Sequence, residues 1–389
     1  MPGCGSAAEG PRVFAGIPGQ QRAKDFFERA VRDDSLSHAY LLAGPEGLAK
    51  TAFARDLGAA LVTPCGGCGV CADCERARGG VHPDLHLLER EGDLIRVEQI
   101  EPVVADLSLK PFSAAYRIWV ISEVEYLHPA AANKLLKSIE EPPSYVVFIL
   151  VTDRLERVLP TIVSRCQTVE FRPLSDTEVS AYLVERHGLD AAAAEALARL
   201  SLGSVERAAR LAEDAAGPRR REEYLRQVAH LAAGARPPDG PEPGAAFIGV
   251  LERQQAEIAA ALEEELARRL AGLEQQFQDK KDLKWYVEKA QGRAKREEAR
   301  RRRVAAQDAL DLLVSWVRDL WVVASGASDV LWNSDHRDAL VAAVVATPEH
   351  YARLLGVAAK TRKDLYLNID QKLALQAMFA RFEEVSTSA

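Results

Sequence analysis

A glycine-rich run in this chain has the residue types needed to hold phosphate. Residues 44–51 read Gly-Pro-Glu-Gly-Leu-Ala-Lys-Thr and follow the apolar run Ala39–Ala43. Between a strand and a helix, the N–H groups of such a loop, its lysine and its hydroxyl group can hold phosphates and Mg²⁺. A vestigial loop kept for its backbone geometry is the alternative interpretation. The sequence predicts a nucleotide site, in degenerate form, at Gly44, Gly47, Ala49, Lys50 and Thr51.

The groups that would complete this site depart from the usual pattern. The apolar strand-like run Arg117–Ile121 is followed by Ser122 and Glu123, although a strand-end aspartate normally supports the metal ion. Ala49 adds a methyl group where a glycine would let the backbone approach the phosphates. We therefore expect weak nucleotide binding and still weaker hydrolysis. Glu123 and Glu125 are interpreted as an ordinary solvated strand end.

Four of the six cysteines fall within ten residues, in a CxxCxxCxxC pattern at Cys65, Cys68, Cys71 and Cys74. Thiolates at this spacing can surround one tetrahedral Zn²⁺, and zinc sites made only of protein thiolates are structural. Two disulfides and an iron–sulfur cluster are the alternatives, although the proline that often follows the last cysteine of a cluster motif is absent. Cys166 is interpreted as a small buried residue, since no histidine lies near it in sequence.

The composition is that of a globular protein that does not bind nucleic acid by overall charge. The chain has 389 residues, of which 48% are hydrophobic and 28% are charged, and its net charge is −7. At about 150 residues per domain, this length predicts two or three domains. No apolar run approaches about 20 residues and no basic-then-apolar leader is visible, so we expect a cytoplasmic location. Contacts with DNA would be local or shared with partners.

Short β-type runs alternate with helical stretches over residues 1–172. The runs cover residues 39–43, 85–88, 117–121, 146–151 and 168–171. This alternation predicts a parallel sheet covered by helices, as in α/β nucleotide-binding domains. A small helical domain is expected over residues 173–216, with Ser175 as an N-cap, and a helical bundle over residues 217–389.

Two adjacent blocks of opposite charge distinguish the bundle. Residues 251–279 carry seven acidic and three basic side chains, whereas residues 280–303 carry eleven basic and four acidic ones. Two long antiparallel helices with opposite charges facing would accommodate them, so we predict a helical arm at about 251–303. A contact between a phosphate backbone and residues 300–303, aided by Trp285 and Tyr286, is the alternative.

Several motifs occur together and in order. They are Ser-His-Ala-Tyr-Leu-Leu-Ala-Gly-Pro at 37–45, the four cysteines, His-Pro-Asp at 82–84, Ala-Ala-Ala-Asn-Lys-Leu-Leu-Lys at 130–137, Glu-Glu-Pro-Pro at 140–143 and Ser-Arg-Cys at 164–166. With them the chain resembles, over its first ~210 residues, the clamp-loader AAA+ proteins of bacterial DNA polymerase III. Residues 368–375 also resemble the end of that family's helical collar domain. The resemblance implies an AAA+ domain, a helical lid and a collar. The charged arm departs from the family pattern, and we interpret it as an insertion within the collar.

The resemblance also assigns roles to single residues. Glu123 matches the position that polarises water in the ATPase subunits, and Thr152 matches the polar sensor on the next strand. Glu206 stands where an arginine usually contacts the γ-phosphate, and an acid there repels phosphate. Arg165 matches the arginine finger that projects into the ATP site of a neighbouring subunit. A structural arginine paired with an acid is the alternative for Arg165.

A degenerate ATP site with an intact finger and a zinc knuckle resembles the delta-prime type of subunit, which does not hydrolyse ATP. The resemblance implies a stator-like subunit of a five-membered ring with gamma/tau and delta subunits, within the DNA-directed DNA polymerase III holoenzyme, a nucleotidyltransferase complex. The ring would load the beta sliding clamp on primer–template DNA, with ATP and Mg²⁺ bound by the neighbouring subunits. An active gamma/tau-type ATPase is the alternative. A further one, DNA binding by the knuckle, lacks support because residues 65–74 contain no lysine, arginine or aromatic residue.

Overall fold

The computed structural model describes residues 14, 16–68, 71–78, 80–90, 94–232, 243–276, 280–327, 330–366 and 370–387. The chain divides into two compact units, Met1–Glu213 and Asp214–Ala389. Two residues of the C-terminal motif, Asn368 and Ile369, lie outside the described residues. The side chains of Trp285 and Tyr286 in the arm are likewise not described.

The first unit is built on a five-stranded sheet whose strands all run parallel, in the order β2-β3-β4-β1-β5. The strands are β1 Ala39–Ala43, β2 Leu85–Leu88, β3 Arg117–Ile121, β4 Val146–Thr152 and β5 Gln167–Glu170. The helices around them are α1 Gln21–Arg32, α2 Lys50–Val62, α3 Ala72–Arg78, α4 Val97–Asp106, α5 Pro129–Glu140 and α6 Pro160–Val163. The predicted parallel sheet covered by helices is confirmed; β4 ends one residue later than predicted, and β5 lies one residue earlier.

The central strands form because they are nearly continuous runs of apolar residues, as in sheets covered on both faces. Every residue of β1, β3 and β4 is buried. Two separate clusters of buried side chains pack on the two faces, one around Phe53 and Leu57 of α2 and one around Ile100 and Leu135 of α4 and α5. Because the strands are parallel, the segments that follow β1, β3 and β4 all start from the same edge of the sheet.

Three further helices complete the first unit and have a small core of their own. They are α7 Asp176–His187, α8 Ala191–Ser201 and α9 Val205–Glu213, packed around Val179, Leu183 and Ala198. Ser175 caps α7 as predicted, because its Oγ accepts from Glu178 N at 3.3 Å while Ser175 N donates to the Glu178 carboxylate at 2.8 Å.

The described part of the second unit is helical throughout. Its helices are α10 Gly217–Ala232, α11 Pro243–Gln276, α12 Lys280–Ala324, α13 Arg337–Ala343, α14 Pro348–Tyr366 and α15 Gln371–Thr387. Tyr224, Phe247 and Phe379 bring α10, α11 and α15 together, with ring centroids 4.8 and 5.4 Å apart. Within the described residues, no helix is both apolar enough and long enough to cross a bilayer.

The long helices α11 and α12 occupy the region predicted to be a charged arm. They pack against each other, and Gln255 Nε2 in α11 donates to the carbonyl oxygen of Arg302 in α12 at 3.2 Å. In the basic block, Arg301 pairs with Glu297 at 2.7 Å and Arg302 pairs with Glu298 at 2.7 Å, one turn earlier in the same helix. The basic block is thus partly neutralised by its own helix.

Candidate functional site

The loop between β1 and α2 leads directly into a helix, and its last residue has a strained backbone. Ala49 has φ 57° and ψ 28°, in the left-handed region that favours glycine, immediately before Lys50 and Thr51 open α2. A left-handed alanine costs about 1 kcal/mol relative to glycine. Gly44, at the start of the loop, passes so close to β5 that a Cβ atom would lie 2.4 Å from the Phe171 carbonyl oxygen.

Lys50, the residue expected to hold phosphate, is already engaged by groups of the chain. Its Nζ lies 2.7 Å from Asp153 Oδ1 and also donates to the carbonyl oxygen of Pro45, and its side chain is only 2% exposed. Asp153 directly follows β4, so the parallel sheet places its carboxylate beside the loop. An internal anion therefore stands next to the cation that would contact a phosphate. Sequence reasoning missed Asp153, although an acid directly after the polar strand end Thr152 was a usable signal.

The end of β3 offers no carboxylate for a metal ion. Ser122 is buried, and its Oγ donates to the Leu88 carbonyl oxygen at 3.4 Å. Glu123, which has a left-handed backbone with φ 56°, is ion-paired with Arg90 at 3.1 Å, and the Arg90 guanidinium lies 4.1 Å from the centroid of the Tyr126 ring. The carboxylate predicted to polarise water is therefore paired with a cation that the sequence analysis did not identify.

Glu125 does not belong to a solvated strand end, and that interpretation of the sequence is wrong for this residue. Thr152 Oγ1 donates to Glu125 Oε2 at 2.8 Å, and Asp153 N donates to Glu125 Oε1 at 3.2 Å. Burial raises the pKa of Glu125, against the opposing effect of these hydrogen bonds. The sensor candidate Thr152 is fully buried, and its hydroxyl is directed at Glu125.

The start of α9 binds the loop directly. Ser204 Oγ donates to the Gly47 carbonyl oxygen at 3.2 Å, and Glu206 N donates to the same oxygen at 3.2 Å. A Cβ atom on Gly47 would lie 2.1 Å from Ser204 Oγ, so only glycine fits there. The Glu206 side chain is exposed, whereas its neighbour Arg207 is buried. The N–H of Glu206, at an end where a helix can bind an anion, is thus used by a carbonyl group of the loop.

Arg165 lies in the short segment between α6 and β5, away from the loop residues just described. Its side chain is 37% exposed, and Nη2 pairs with Glu140 Oε1 at 2.6 Å while Nη1 donates to the Thr161 carbonyl oxygen at 3.1 Å. The adjacent Cys166 packs against the core on one face of the sheet, and burial raises the pKa of its thiol to about 12. Cys166 is thus half-buried and inert, as predicted, and anchors the turn that presents Arg165.

The four clustered cysteines meet the geometric requirements of a tetrahedral metal site. Their Sγ atoms all lie within 4.8 Å of one another, with separations of 3.5 Å for Cys65–Cys71, 3.4 Å for Cys65–Cys74 and 3.9 Å for Cys68–Cys74. A zinc ion with Zn–S bonds of about 2.3 Å requires S–S separations of roughly 3.8 Å. Burial alone would raise the pKa of Cys65, but the N–H of Cys68 and neighbouring side chains lower it to about 5, which favours the metal-binding thiolate.

Residues 19–175 match the protein family described as "DNA polymerase III, delta subunit". The chain is 35% identical over 170 residues to the DNA polymerase III subunit delta' of Bacillus subtilis, covering 43% of this chain and 52% of that protein. It is 37% identical over 183 residues to the delta' subunit of Pseudomonas aeruginosa, and the match covers 45% of this chain and 56% of that protein. The subunit tau/gamma of Haemophilus influenzae is 32% identical over 180 residues, and the match covers 44% of this chain and 26% of that protein.

These matches confirm the resemblance to clamp-loader proteins of DNA polymerase III, and they do so for the first unit. The chain spans about half the length of the delta' relatives it matches. A DNA polymerase III gamma subunit-related protein from Thermotoga maritima covers 92% of this chain and 98% of its own, with 16% identity and a TM-score of 0.39. A match at that level adds no argument about function.

Proposed function

We propose that the chain is a delta-prime-type, stator-like subunit of a bacterial DNA polymerase III clamp loader, a premise that rests on the family match of residues 19–175. It would assemble with gamma/tau and delta subunits to load the sliding clamp on primed DNA. In this proposal, residues 1–172 form the AAA+ domain, 173–216 the lid and 217–389 the collar with its charged arm. The four cysteines would hold a structural Zn²⁺ that keeps the segment after α2 folded.

The proposal rests on the loop between β1 and α2, whose phosphate-binding groups already bind other groups of the same chain. Lys50 is paired with Asp153, and Ser122 supplies no charge where Mg²⁺ would need a carboxylate. The Gly47 carbonyl oxygen is held by Ser204 and the start of α9. An incoming triphosphate would have to displace these contacts without the metal site that normally offsets their loss. This arrangement supports a subunit that does not turn over ATP itself.

Arg165 supports a role at a neighbour's site rather than at its own. Its side chain is partly exposed on a turn anchored by Cys166. In the loop between β1 and α2 of the same chain, Lys50 is paired with Asp153. A guanidinium in such a position can neutralise charge that develops on a phosphoryl group of an adjacent subunit, an effect worth ~10³-fold or more in related enzymes.

Replacing Arg165 tests the proposed function. In a complex reconstituted with gamma/tau and delta subunits, Arg165→Ala should assemble normally but lose most of the DNA- and clamp-stimulated ATPase activity, by about tenfold or more at the site it serves. Arg157→Ala, a change of an exposed arginine in the same region, is the matched control. Unimpaired turnover by the Arg165→Ala complex would refute the finger assignment.

A gamma/tau-type ATPase is the second candidate, because Lys50, Thr51 and Thr152 are retained. Turnover of Mg-ATP by the purified chain, with Lys50→Ala to exclude a contaminant, separates the two. We expect no turnover, since the metal-supporting carboxylate is absent at Ser122. Steady hydrolysis that disappears in the Lys50→Ala chain would instead make this protein a motor subunit.

A further inference from the structure

We propose that Glu140 is a holding partner for Arg165, which neutralises the guanidinium in the free subunit and yields it to the phosphates of a neighbouring nucleotide. The inference rests on the proposed function and adds a second residue to the finger. It is drawn from the ion pair between Arg165 Nη2 and Glu140 Oε1, 2.6 Å apart.

The two residues meet because two helix ends meet. Glu140 is the last residue of α5, and Arg165 follows α6, which packs against α5. A carboxylate at the C-terminal end of a helix faces the negative end of the helix dipole, so Glu140 gains from a cation nearby. The backbone around Arg165 is fixed independently, because Arg165 N donates to the Ile162 carbonyl oxygen at 3.1 Å and Cys166 is packed into the core.

The strength of this contact suits exchange. The Arg165 and Glu140 side chains are 37% and 46% exposed, so solvent screens their attraction and the pair is weak. A triphosphate carries more negative charge than one carboxylate, and its oxygens accept hydrogen bonds from a guanidinium group as a carboxylate does. A neighbouring nucleotide can therefore replace Glu140, whereas the contact of Nη1 with the Thr161 carbonyl oxygen can persist.

The first test uses the isolated chain and needs no partner. Arginine-selective modification by phenylglyoxal, followed at the Arg165 peptide by mass spectrometry, should be about two- to fivefold faster in Glu140→Gln than in the wild-type chain. Glu141→Gln removes the same charge one residue later, from an exposed side chain, and should leave the rate unchanged. Equal rates in all three chains would refute the holding contact.

The second test uses the reconstituted complex with its clamp and primed DNA. Glu140→Gln should raise the single-turnover ATPase rate about two- to fivefold at subsaturating ATP, whereas Glu141→Gln should not. A merely structural loss would lower the rate, so an increase is diagnostic, and equal melting temperatures would exclude a folding defect. If the ATPase rate of the Glu140→Gln complex fell to that of the Arg165→Ala complex, the proposal would be overturned. Glu140 would then be essential for orienting Arg165.

Arg165→Ala, measured in the same assays, distinguishes a failure of the finger role of Arg165 from a failure of the holding role of Glu140. If Arg165→Ala abolishes stimulation while Glu140→Gln behaves as Glu141→Gln does, the holding role alone is refuted. If Arg165→Ala leaves stimulation intact, the finger itself is refuted, and the exchange with Glu140 falls with it.

Discussion

Single carboxylates shape the backbone of the first unit, and Asp84 does so most fully. Asp84 has no exposed surface, and its oxygens accept from Phe112 N at 2.6 Å, Ser113 N at 2.8 Å and Ala114 N at 3.0 Å. Burial alone would raise the pKa of Asp84, but these hydrogen bonds outweigh it, and the pKa lies below its usual value. The aspartate of the His-Pro-Asp motif thus holds the segment that enters β3.

Asp84→Asn should destabilise the first unit by about 3 kcal/mol, because an amide would present donors to N–H groups that need an acceptor. The lowered pKa means that the carboxylate's contribution is complete above its usual pKa of about 4 and is lost as pH falls through the lower folded value. In denaturant unfolding between pH 3 and pH 7, the free energy of unfolding of the wild-type chain should exceed that of Asp84→Asn. This difference should shrink only below about pH 4. A constant difference down to pH 3 would contradict this.

The residues of the candidate site show what sequence can and cannot predict. The residue types at Lys50, Glu123 and Arg165 could be read from the sequence because each belongs to a local motif. Their partners Asp153, Arg90 and Glu140 come from other segments, and only the folded chain brings them within 3.1 Å or less. The solvated interpretation of Glu125 was wrong for the same reason, since its partner Thr152 ends a different strand.

Among the elements, the cysteine segment that leads from α2 into α3 is attached to the end of α2 by the side chain of Thr63. Thr63 Oγ1 donates to the Ala59 carbonyl oxygen at 2.8 Å and accepts from Gly67 N at 3.0 Å, which ties the segment to the end of α2. Cys74 is the one buried thiol of the four. We expect the proposed Zn²⁺ to stabilise this segment.

Removal of zinc by a chelator should lower the melting temperature of the first unit by about 5 °C without preventing assembly with the partner subunits. Metal analysis before and after treatment, together with calorimetry, would measure the effect, and added Zn²⁺ should restore the original temperature. An unchanged melting curve after complete metal loss would show that the cysteine segment contributes no stability through a metal.

The elements themselves were predictable because their patterns are strong. The apolar runs of β1, β3 and β4 are typical of strands covered on both faces, and Ser175 followed by Glu178 is a capping box in sequence. The docking of α9 on the loop was not predictable, because it depends on the Gly47 carbonyl oxygen and a backbone N–H, which carry no sequence signal.

At the scale of the whole molecule, the chain consists of two units with separate cores. The first buries its side chains on a sheet, and the second buries Tyr224, Phe247 and Leu375 between helices. Charge is also unevenly distributed along the chain. The whole chain has a net charge of −7, whereas residues 280–303 have seven more basic than acidic side chains. Any long-range attraction of this chain for an anionic partner would therefore be concentrated on α12.

Because each unit has its own core, calorimetry of the intact chain should show two unfolding transitions. Asp84→Asn should move only one of them, the transition that zinc removal also shifts, and leave the other within about 1 °C. A single transition displaced as a whole by Asp84→Asn would mean that the two units unfold cooperatively.

The half-buried thiol of Cys166, next to Arg165, has a consequence for oxidative damage. Peroxide attacks thiolates, and a thiol with a pKa of about 12 is protonated at neutral pH, so Cys166 presents little reactive sulfur. Cys65, with its pKa of about 5, is the opposite case, and the proposed Zn²⁺ would protect its thiolate from oxidation. The chain thus combines an oxidation-resistant turn at Arg165 with an oxidation-sensitive cysteine segment about a hundred residues earlier. We expect mild oxidants to modify the cysteine segment before they modify Cys166.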